Sequence, residues 1–259
     1  SKASTELRAD LHECWAYECT IAGKIDQDVI DARHQAIALR KQLGDKVKVG
    51  MNQRWLSRLH WYMGSRAEAD RYVDEAVKTL ESLPPGPELA MAYSVRSQHH
   101  MLTNELEQAD TWGNRAIELS QKFGVQDTLA HALNNVGTAL IISGQDKGYD
   151  LLEQSLAISL QHGFHEHAAR VYTNASECAM RNRDPARAAR MLEEGVTFDR
   201  DHDWDSWTPY LIGILGQFRL NQGLMDEADA VVDEVLRGKN LPPVVRIPAL
   251  TVKATTTML

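Results

Sequence analysis

The sequence predicts an all-α helical solenoid, and three observations predict it. Small or turn-forming residues recur at Gly23, Gly64, Asn104, Gly144, Arg183 and Gly223, with successive gaps of 41, 40, 40, 39 and 40. A period of that size, held along the chain, is the signature of stacked two-helix units. Each mark is followed at a near-constant distance by a small residue (Ala69, Ala109, Gly148, Ala188, Ala228). Four further on come Val73, Gly113, Leu152, Leu192 and Val232, and three beyond those Ala76, Ala116, Ser155, Gly195 and Val235. That spacing puts all three positions on one helix face, and small residues there let two backbones approach closely. Thirdly, no strand-like alternation competes anywhere.

In order along the chain, first helices of the pairs are expected at roughly 5–22, 47–63, 88–103, 127–143, 166–182 and 207–222. Second helices fall at about 28–43, 66–82, 107–123, 147–162, 185–199 and 226–237. Between units, Leu43-Gly44, Phe123-Gly124, His162-Gly163 and Arg237-Gly238 read as helix ends whose glycine can take the left-handed conformation. Pro84-Pro85-Gly86-Pro87 and Pro242-Pro243 are longer stops, since proline cannot continue a helix. Asp184-Pro185 is a helix start, Asp as the cap and Pro in the first turn. The reading is about six helix-turn-helix repeats plus a truncated seventh, forming one domain over 1–259. One further period from Gly223 places the next turn near residue 263, past the last residue, Leu259. The chain also opens on Ser1-Lys2-Ala3-Ser4, so a fragment of a larger multidomain protein is expected, because solenoids need polar end caps.

Composition closes several doors. The net charge of −8 and a pI near 5.7 argue against a duplex-DNA or anionic-membrane footprint, which needs clustered Lys and Arg. No apolar run approaches the roughly 18 residues of a membrane span. Cys14, Cys19 and Cys178 sit within helical patterns and are too few for a disulfide framework, so the cytoplasm is the expected compartment.

Asn134-Asn135-Val136-Gly137 followed by Gly144, and Leu211 to Gly216 followed by Gly223 and Ala228, resemble tetratricopeptide repeats (TPR). The hydrophobe before a small residue in the first helix is Leu56-Ser57, Val136-Gly137, Ala175-Ser176 and Leu215-Gly216. Two departures stand out: the period is near 40 rather than about 34, and His60, His100 and Arg219 replace a bulky residue late in the first helix. The lengthened repeat is similar to the helical region of large bacterial ATPase-linked regulators of the LuxR and MalT type. The resemblance implies a sensor or effector region of a transcriptional or signal-transduction regulator.

In such superhelices the first helix of each pair lines the concave surface. Counting from the ruler marks, the lining positions are Arg54, Arg58, Trp61 and Tyr62; Met91, Ser94, Gln98 and Met101; His131, Asn134, Thr138 and Ile141; then Arg170, Thr173, Glu177 and Arg181. Asn135 and Asn174 occupy equivalent positions of adjacent repeats, where an amide can pair with a peptide's backbone donor and acceptor together. The candidate binding set is therefore Arg54, Arg58, Trp61, Gln98, His131, Asn134, Asn135, Arg170, Asn174 and Glu177. Arginine forks among amides and aromatics suit an extended peptide, a partner protein or a small anionic effector. The competing reading is solvated groove residues and hydrogen bonds within the array. The carboxylate clamp of chaperone-binding members is not found, because Val95 and Trp55 stand where an amide is needed.

His162, His165 and His167 around Gly163 invite a metal, but a helix end is a common place for histidine. Asp199, Asp201, Asp203 and Asp205 alternate like calcium-loop ligands, yet no Gly makes the sharp turn and Tyr210 stands at the twelfth position. In His165-Glu166 the second zinc-protease histidine is replaced by Ala169. Glu193-Glu194 read as a solvated face, and Trp61, Trp112, Trp204 and Trp207 as inter-repeat packing. The signatures of a phosphate-cradling loop, a dinucleotide fingerprint and a nucleophile elbow are missing. No metal, no cofactor and no enzymatic activity are expected, and no nucleic acid or membrane is expected as a partner of this segment. The expected function is a protein- or ligand-binding repeat domain; the alternative is a constitutive scaffold or self-association module without a small-molecule site.

Overall fold

The computed structural model describes residues 3–202, 207–238 and 241–258. Among them, thirteen α-helices follow one another with no strand. Six form the first members of hairpins: α1 (Thr5–Ile21), α3 (Lys46–Tyr62), α5 (Pro87–Leu102), α7 (Gln126–Ile142), α9 (His165–Arg181) and α11 (Thr208–Asn221). Their partners are α2 (Gln27–Gln42), α4 (Arg66–Glu81), α6 (Leu106–Phe123), α8 (Gly148–His162), α10 (Pro185–Asp201) and α12 (Met225–Arg237). The helix α13 (Pro243–Met258) opens a seventh pair. Each of the twelve expected helices is found with its ends within two residues.

The ruler has a backbone cause. Gly23, Gly64, Asn104, Gly144, Arg183 and Gly223 all have positive φ, at 73°, 74°, 59°, 85°, 56° and 80°. Each ends the first helix in a left-handed residue, after which the chain closes back: Ser65 N–H donates to His60 O at 2.8 Å and Asp184 N–H to Ala179 O at 2.9 Å. Four of the six marks are glycine, which takes this conformation without steric cost; Asn104 and Arg183 take it regardless. Between hairpins, Gly44, Gly124 and Gly163 are left-handed as expected. Gly238 is not: its φ of −61° and ψ of 132° are extended.

Caps follow the local sequence. The Asp184 carboxylate accepts from Arg187 N–H at 3.0 Å, with Pro185 in the first turn. Pro87 likewise starts α5 after Gly86. One proline lies where helix rules disfavour it: Pro248 inside α13, buried against α11, where a Cβ on Gly213 would stand 2.8 Å from the Pro248 Cβ.

The chain forms two compact units, residues 1–136 and 137–259. In the first, Ala16, Val29, Ile30, Leu56 and Leu59 make one cluster, and Val77, Leu80, Leu89, Tyr93 and Ala116 another. In the second, Ile141, Leu152, Val171 and Cys178 pack together, as do Leu192, Leu211, Ile214 and Phe218, and Val232, Val235, Ala249 and Val252. Hairpins close on small residues. Ser97 Oγ donates to Ala109 O across α5 and α6 at 2.6 Å, while α7 and α8 meet glycine to glycine, a Cβ on Gly148 standing 2.3 Å from Gly137 O. Several buried hydroxyls bond their own helix four residues back: Thr20 to Ala16 O (2.7 Å), Ser120 to Ala116 O (2.6 Å), Ser159 to Ser155 O (2.7 Å) and Ser176 to Tyr172 O (2.6 Å).

Candidate functional site

In the first unit the distinctive chemistry gathers around Trp55 on α3. Its half-buried indole meets the Tyr17 ring of α1 edge-on, centroids 5.6 Å apart at 87°. The guanidinium carbons of Arg54 and Arg58 lie 5.2 Å and 5.4 Å from the indole centroid, and Arg58 Nη2 donates to Tyr62 Oη at 3.2 Å. A third guanidinium arrives from α2: Arg33, at 4.9 Å from the same ring. Such contacts are attractive, the ring face being electronegative. Trp61 is half-buried and packs edge-on against Tyr62, with centroids 5.2 Å apart.

Arg33 is the member that the sequence reading missed. It is only 1% exposed, sharing the buried face of α2 with Val29, Ala32, Ala36, Ile37 and Arg40. Two arginines on an otherwise apolar stripe are the signal that could have found it. Their environments differ. Arg40 donates from Nε and Nη2 to Glu13 at 2.9 Å and 2.7 Å and also pairs with Asp10, to which Lys48 adds a contact at 3.2 Å. Asn52 Nδ2 donates to Glu13 at 2.7 Å. Arg33 donates from Nη1 to Asn52 Oδ1 at 3.1 Å; its Nε and Nη2 are buried with no hydrogen-bond partner among the described residues. Burial, and then the charge of Arg54, push its pKa down to about 10.

The other candidates in this unit divide. Gln98 is half-buried on α5. His131, Asn134 and Asn135 are buried, at 3%, 1% and 0% exposure. His131 Nδ1 sits 2.6 Å from Ser94 Oγ, and Asn135 Nδ2 donates to Ser94 O at 2.9 Å, so this amide bonds backbone of α5 instead of standing on an open face. The α3–α5 contact holds another polar chain: Ser57 Oγ to His99 Nε2 at 3.2 Å, and His99 Nδ1 to Asp70 Oδ1 at 2.7 Å. This is the connectivity of a hydrolase triad, but Ser57 is 0% exposed and cannot meet a substrate. Burial pushes the His99 pKa down despite Asp70.

In the second unit Arg170 is buried, its guanidinium 6.0 Å from the Trp207 ring, and Asn174 is half-buried beside it on α9. The Glu177 carboxylate accepts from Tyr210 Oη at 3.3 Å, and burial pushes its pKa up to about 7. The histidines that invited a metal pack instead on rings: His162 stacks on Phe164 (5.4 Å), His167 meets Phe164 edge-on, and His165 lies 4.1 Å from His202. Among the described residues no group of His, Cys, Asp and Glu is arranged to hold a metal. Asp203, Trp204 and Asp205 lie outside the described residues; Asp199 is fully buried, neither carboxylate oxygen having a partner among the described residues, and burial pushes its pKa up to about 7. A hollow of about 550 Å³ nearby is lined by Tyr172, Phe198, His202, Arg190 and the Glu193-Glu194 pair.

No family model matches the sequence, and no curated protein matches it. Solved structures do match in fold. A Rap protein complexed with competence and sporulation factor superposes with a TM-score of 0.69 at 12% identity, covering 99% of this chain and 78% of that one. A signal transduction ATPase with numerous domains and a tetratricopeptide repeat sensor, from Pyrococcus horikoshii, gives 0.55 at 14% identity over 99% of this chain and 44% of that one. A thermophilic TPR protein from Thermus thermophilus gives 0.53 at 18% identity, covering 81% and 100%. The chain has the fold of a TPR-like helical-repeat solenoid. Among the described residues no helix is long and apolar enough to cross a membrane.

Proposed function

We propose that this TPR-like solenoid is the sensor or effector region of a bacterial signal-transduction or transcriptional regulator of the LuxR and MalT type, working in the cytoplasm. It binds a peptide, a partner protein or a small anionic effector on its first-helix faces, and occupancy biases an attached output module. The observation that carries this reading is the pair Arg54 and Arg58, held beside Trp55 on a face of α3 where neither is fully buried. In the first unit Gln98 is a secondary contact and Trp61 a flank; in the second, Arg170, Asn174 and Glu177 are a separate candidate set. Support also comes from neighbours of the same fold, one a Rap protein complexed with competence and sporulation factor, another a tetratricopeptide repeat sensor. The role is recognition, with no catalytic step.

The test is thermal unfolding of the chain against a panel of metabolites, nucleotides and peptides, with an Arg54→Ala/Arg58→Ala variant as control. Stabilisation by a few degrees that the variant abolishes supports the reading, since a ligand binding only the folded state raises its stability. A silent panel refutes it. The scaffold alternative draws on one feature: Leu7, Leu11 and Trp15, four apart on α1, are 49%, 58% and 43% exposed. A mass that rises with concentration, and is restored to the monomer by Leu11→Lys, would select it.

A further inference from the structure

We infer that the hollow on the exposed face of α10, in the second unit, binds a free linear polyamine, with its ammonium ends at Glu194 and Asp201 and its methylene stem on Phe198. The site lies on a second helix and takes a cation, so it is independent of the partner-binding reading above, which concerns first-helix faces.

The helical repeat sets the spacing of the site. Glu194, Phe198 and Asp201 follow one another at intervals of four and three, so they share one face of α10. Asp201 stands two turns beyond Glu194, about 10 Å along the axis. Between them, Phe198 is the hub of a ring cluster. Its centroid lies 4.3 Å from that of His202, 5.6 Å from Tyr172 and 5.8 Å from His165, and the two imidazoles are 4.1 Å apart. His202 Nδ1 lies 2.8 Å from Phe198 O; a carbonyl only accepts, so this nitrogen donates and holds the ring at the end of the helix. Tyr172, buried on α9, joins Phe198 and His202 in lining the hollow of about 550 Å³.

The charges around these rings are lopsided. Glu193, Glu194 and Asp201 line the hollow against one cation, Arg190, and none of the four makes an ion pair among the described residues. On the next second helix, α12, Glu227 meets Arg219, Glu234 meets Arg200, and Asp229 and Asp233 share Lys253. Asp199 adds to the imbalance: it is fully buried on the same helix, neither oxygen has a partner among the described residues, and its charge acts on both Tyr172 and His202. Burial, and then the charge of His202, push the His165 pKa down, so that imidazole supplies no counter-charge at pH 7. Unpaired carboxylates beside ring faces favour an organic cation, since an ammonium is drawn to the face of a ring and a methylene stem laid on Phe198 leaves water. One ammonium reaches only one end of a two-turn separation, so the spacing of Glu194 and Asp201 asks for a molecule charged at both ends. A metal ion needs its ligands together, and among the described residues no group of His, Cys, Asp and Glu is so arranged. The chain's net charge of −8 favours the approach of a cation.

The experiment is calorimetric titration of the full chain, at constant ionic strength, with spermidine, whose outer nitrogens reach a comparable separation when extended. Butylamine, magnesium chloride and an acetylated Lys-Ala-Ala-Lys amide are the comparisons. Spermidine is expected to bind at a single site, at least about tenfold more tightly than butylamine or magnesium. Glu194→Gln/Asp201→Asn changes two exposed side chains that make no ion pair, so it should weaken spermidine about tenfold or more without moving the unfolding temperature. Phe198→Leu keeps apolar bulk but removes the ring and should weaken binding several-fold, whereas Arg190→Gln removes the opposing cation and should tighten it. Unchanged affinity in the double variant overturns the site, and so does a chain that takes up no spermidine. Magnesium binding as tightly as spermidine reduces the hollow to bare negative charge, and butylamine doing so removes the two-ended ligand; either result overturns the inference. Tighter binding of the lysine peptide overturns the free polyamine in favour of a partner's lysines. The Arg54→Ala/Arg58→Ala variant should take spermidine as the parent does, so this site and the first-helix reading fail separately.

Discussion

Gly148→Ala sets helix propensity against packing with opposite signs. The same repeat position is Ala69, Ala109, Ala188 and Ala228 elsewhere, so alanine is the rule there. Propensity predicts a gain for alanine of up to about 1 kcal/mol. At position 148, however, a Cβ would lie 2.3 Å from Gly137 O, 2.8 Å from Ile141 Cγ1 and 3.0 Å from Ile141 N. Two of those three atoms are backbone, so no rotamer change relieves the contact and α8 must move off α7. Overpacking of this kind costs about 1–3 kcal/mol, and backbone opposition puts it at the upper end. The net expectation is a loss of about 2 kcal/mol, roughly 4–8 °C in midpoint for a chain of this size. Urea and thermal unfolding followed by circular dichroism measure it. Ala188→Gly serves as a control and should cost about 1–2 kcal/mol, helix propensity plus the loss of a fully buried methyl. If Gly148→Ala is as stable as the parent, the glycine-to-glycine crossing is not the close approach described, and the reasoning about small residues at hairpin crossings fails with it.

Arg183→Gly should stabilise the chain by about 0.5–1 kcal/mol in urea unfolding, since it removes a side chain from a left-handed turn with φ of 56°. Arg40→Ala should cost about 3–5 kcal/mol, because it strands Glu13 in a buried site; a loss under about 1 kcal/mol would disprove the network. Hydrogen bonds from Arg40 and then Lys48 lower the Asp10 pKa, and for Glu13 those from Arg40 and Asn52 outweigh a burial effect that raises it. Their contribution is therefore present at and above the ordinary carboxylate pKa and disappears as pH falls through the lowered folded values; Arg40→Ala should flatten that acid limb of the stability profile. Asp199 has the opposite sign: its folded pKa near 7 makes the native state bind the extra proton, so its contribution is favourable in acid and is lost as pH rises from about 4 to 7. Asp199→Asn should then stabilise by a few kcal/mol above pH 7 and by little near pH 4, read from midpoints across pH.

The helices were legible because their boundaries are set by local chemistry. A left-handed residue at each ruler mark and a proline or cap at several starts fix the ends whatever surrounds them. Pro248 was not legible as an interior helix residue, since its tolerance depends on Gly213 of another helix making room. The candidate site was readable in part. Arg54 and Arg58 stand together as their spacing of four implies, but the same counting put His131 and Asn135 on a lining surface, and they bond Ser94 in the α5–α7 contact. Which side of a first helix meets its neighbour turns on side-by-side packing between repeats, which one helix's periodicity does not encode. Arg33 escaped because attention to first helices passes over a charge on the apolar stripe of a second helix.

The hydroxyls that bond their own helix carry a consequence for how such a chain can be cut and lengthened. Thr20, Ser120, Ser159 and Ser176 sit in the core without asking anything of a neighbouring repeat. Exchanging a neighbouring repeat leaves these hydroxyls satisfied, whereas it would orphan Asn135, which donates to Ser94 O, and Tyr210, which donates to Glu177. The first two hairpins follow another rule: Arg40, Glu13 and Asn52 tie α1, α2 and α3 together through polar groups that each need the others. Lineages of this fold should thus inherit the opening three helices as a block.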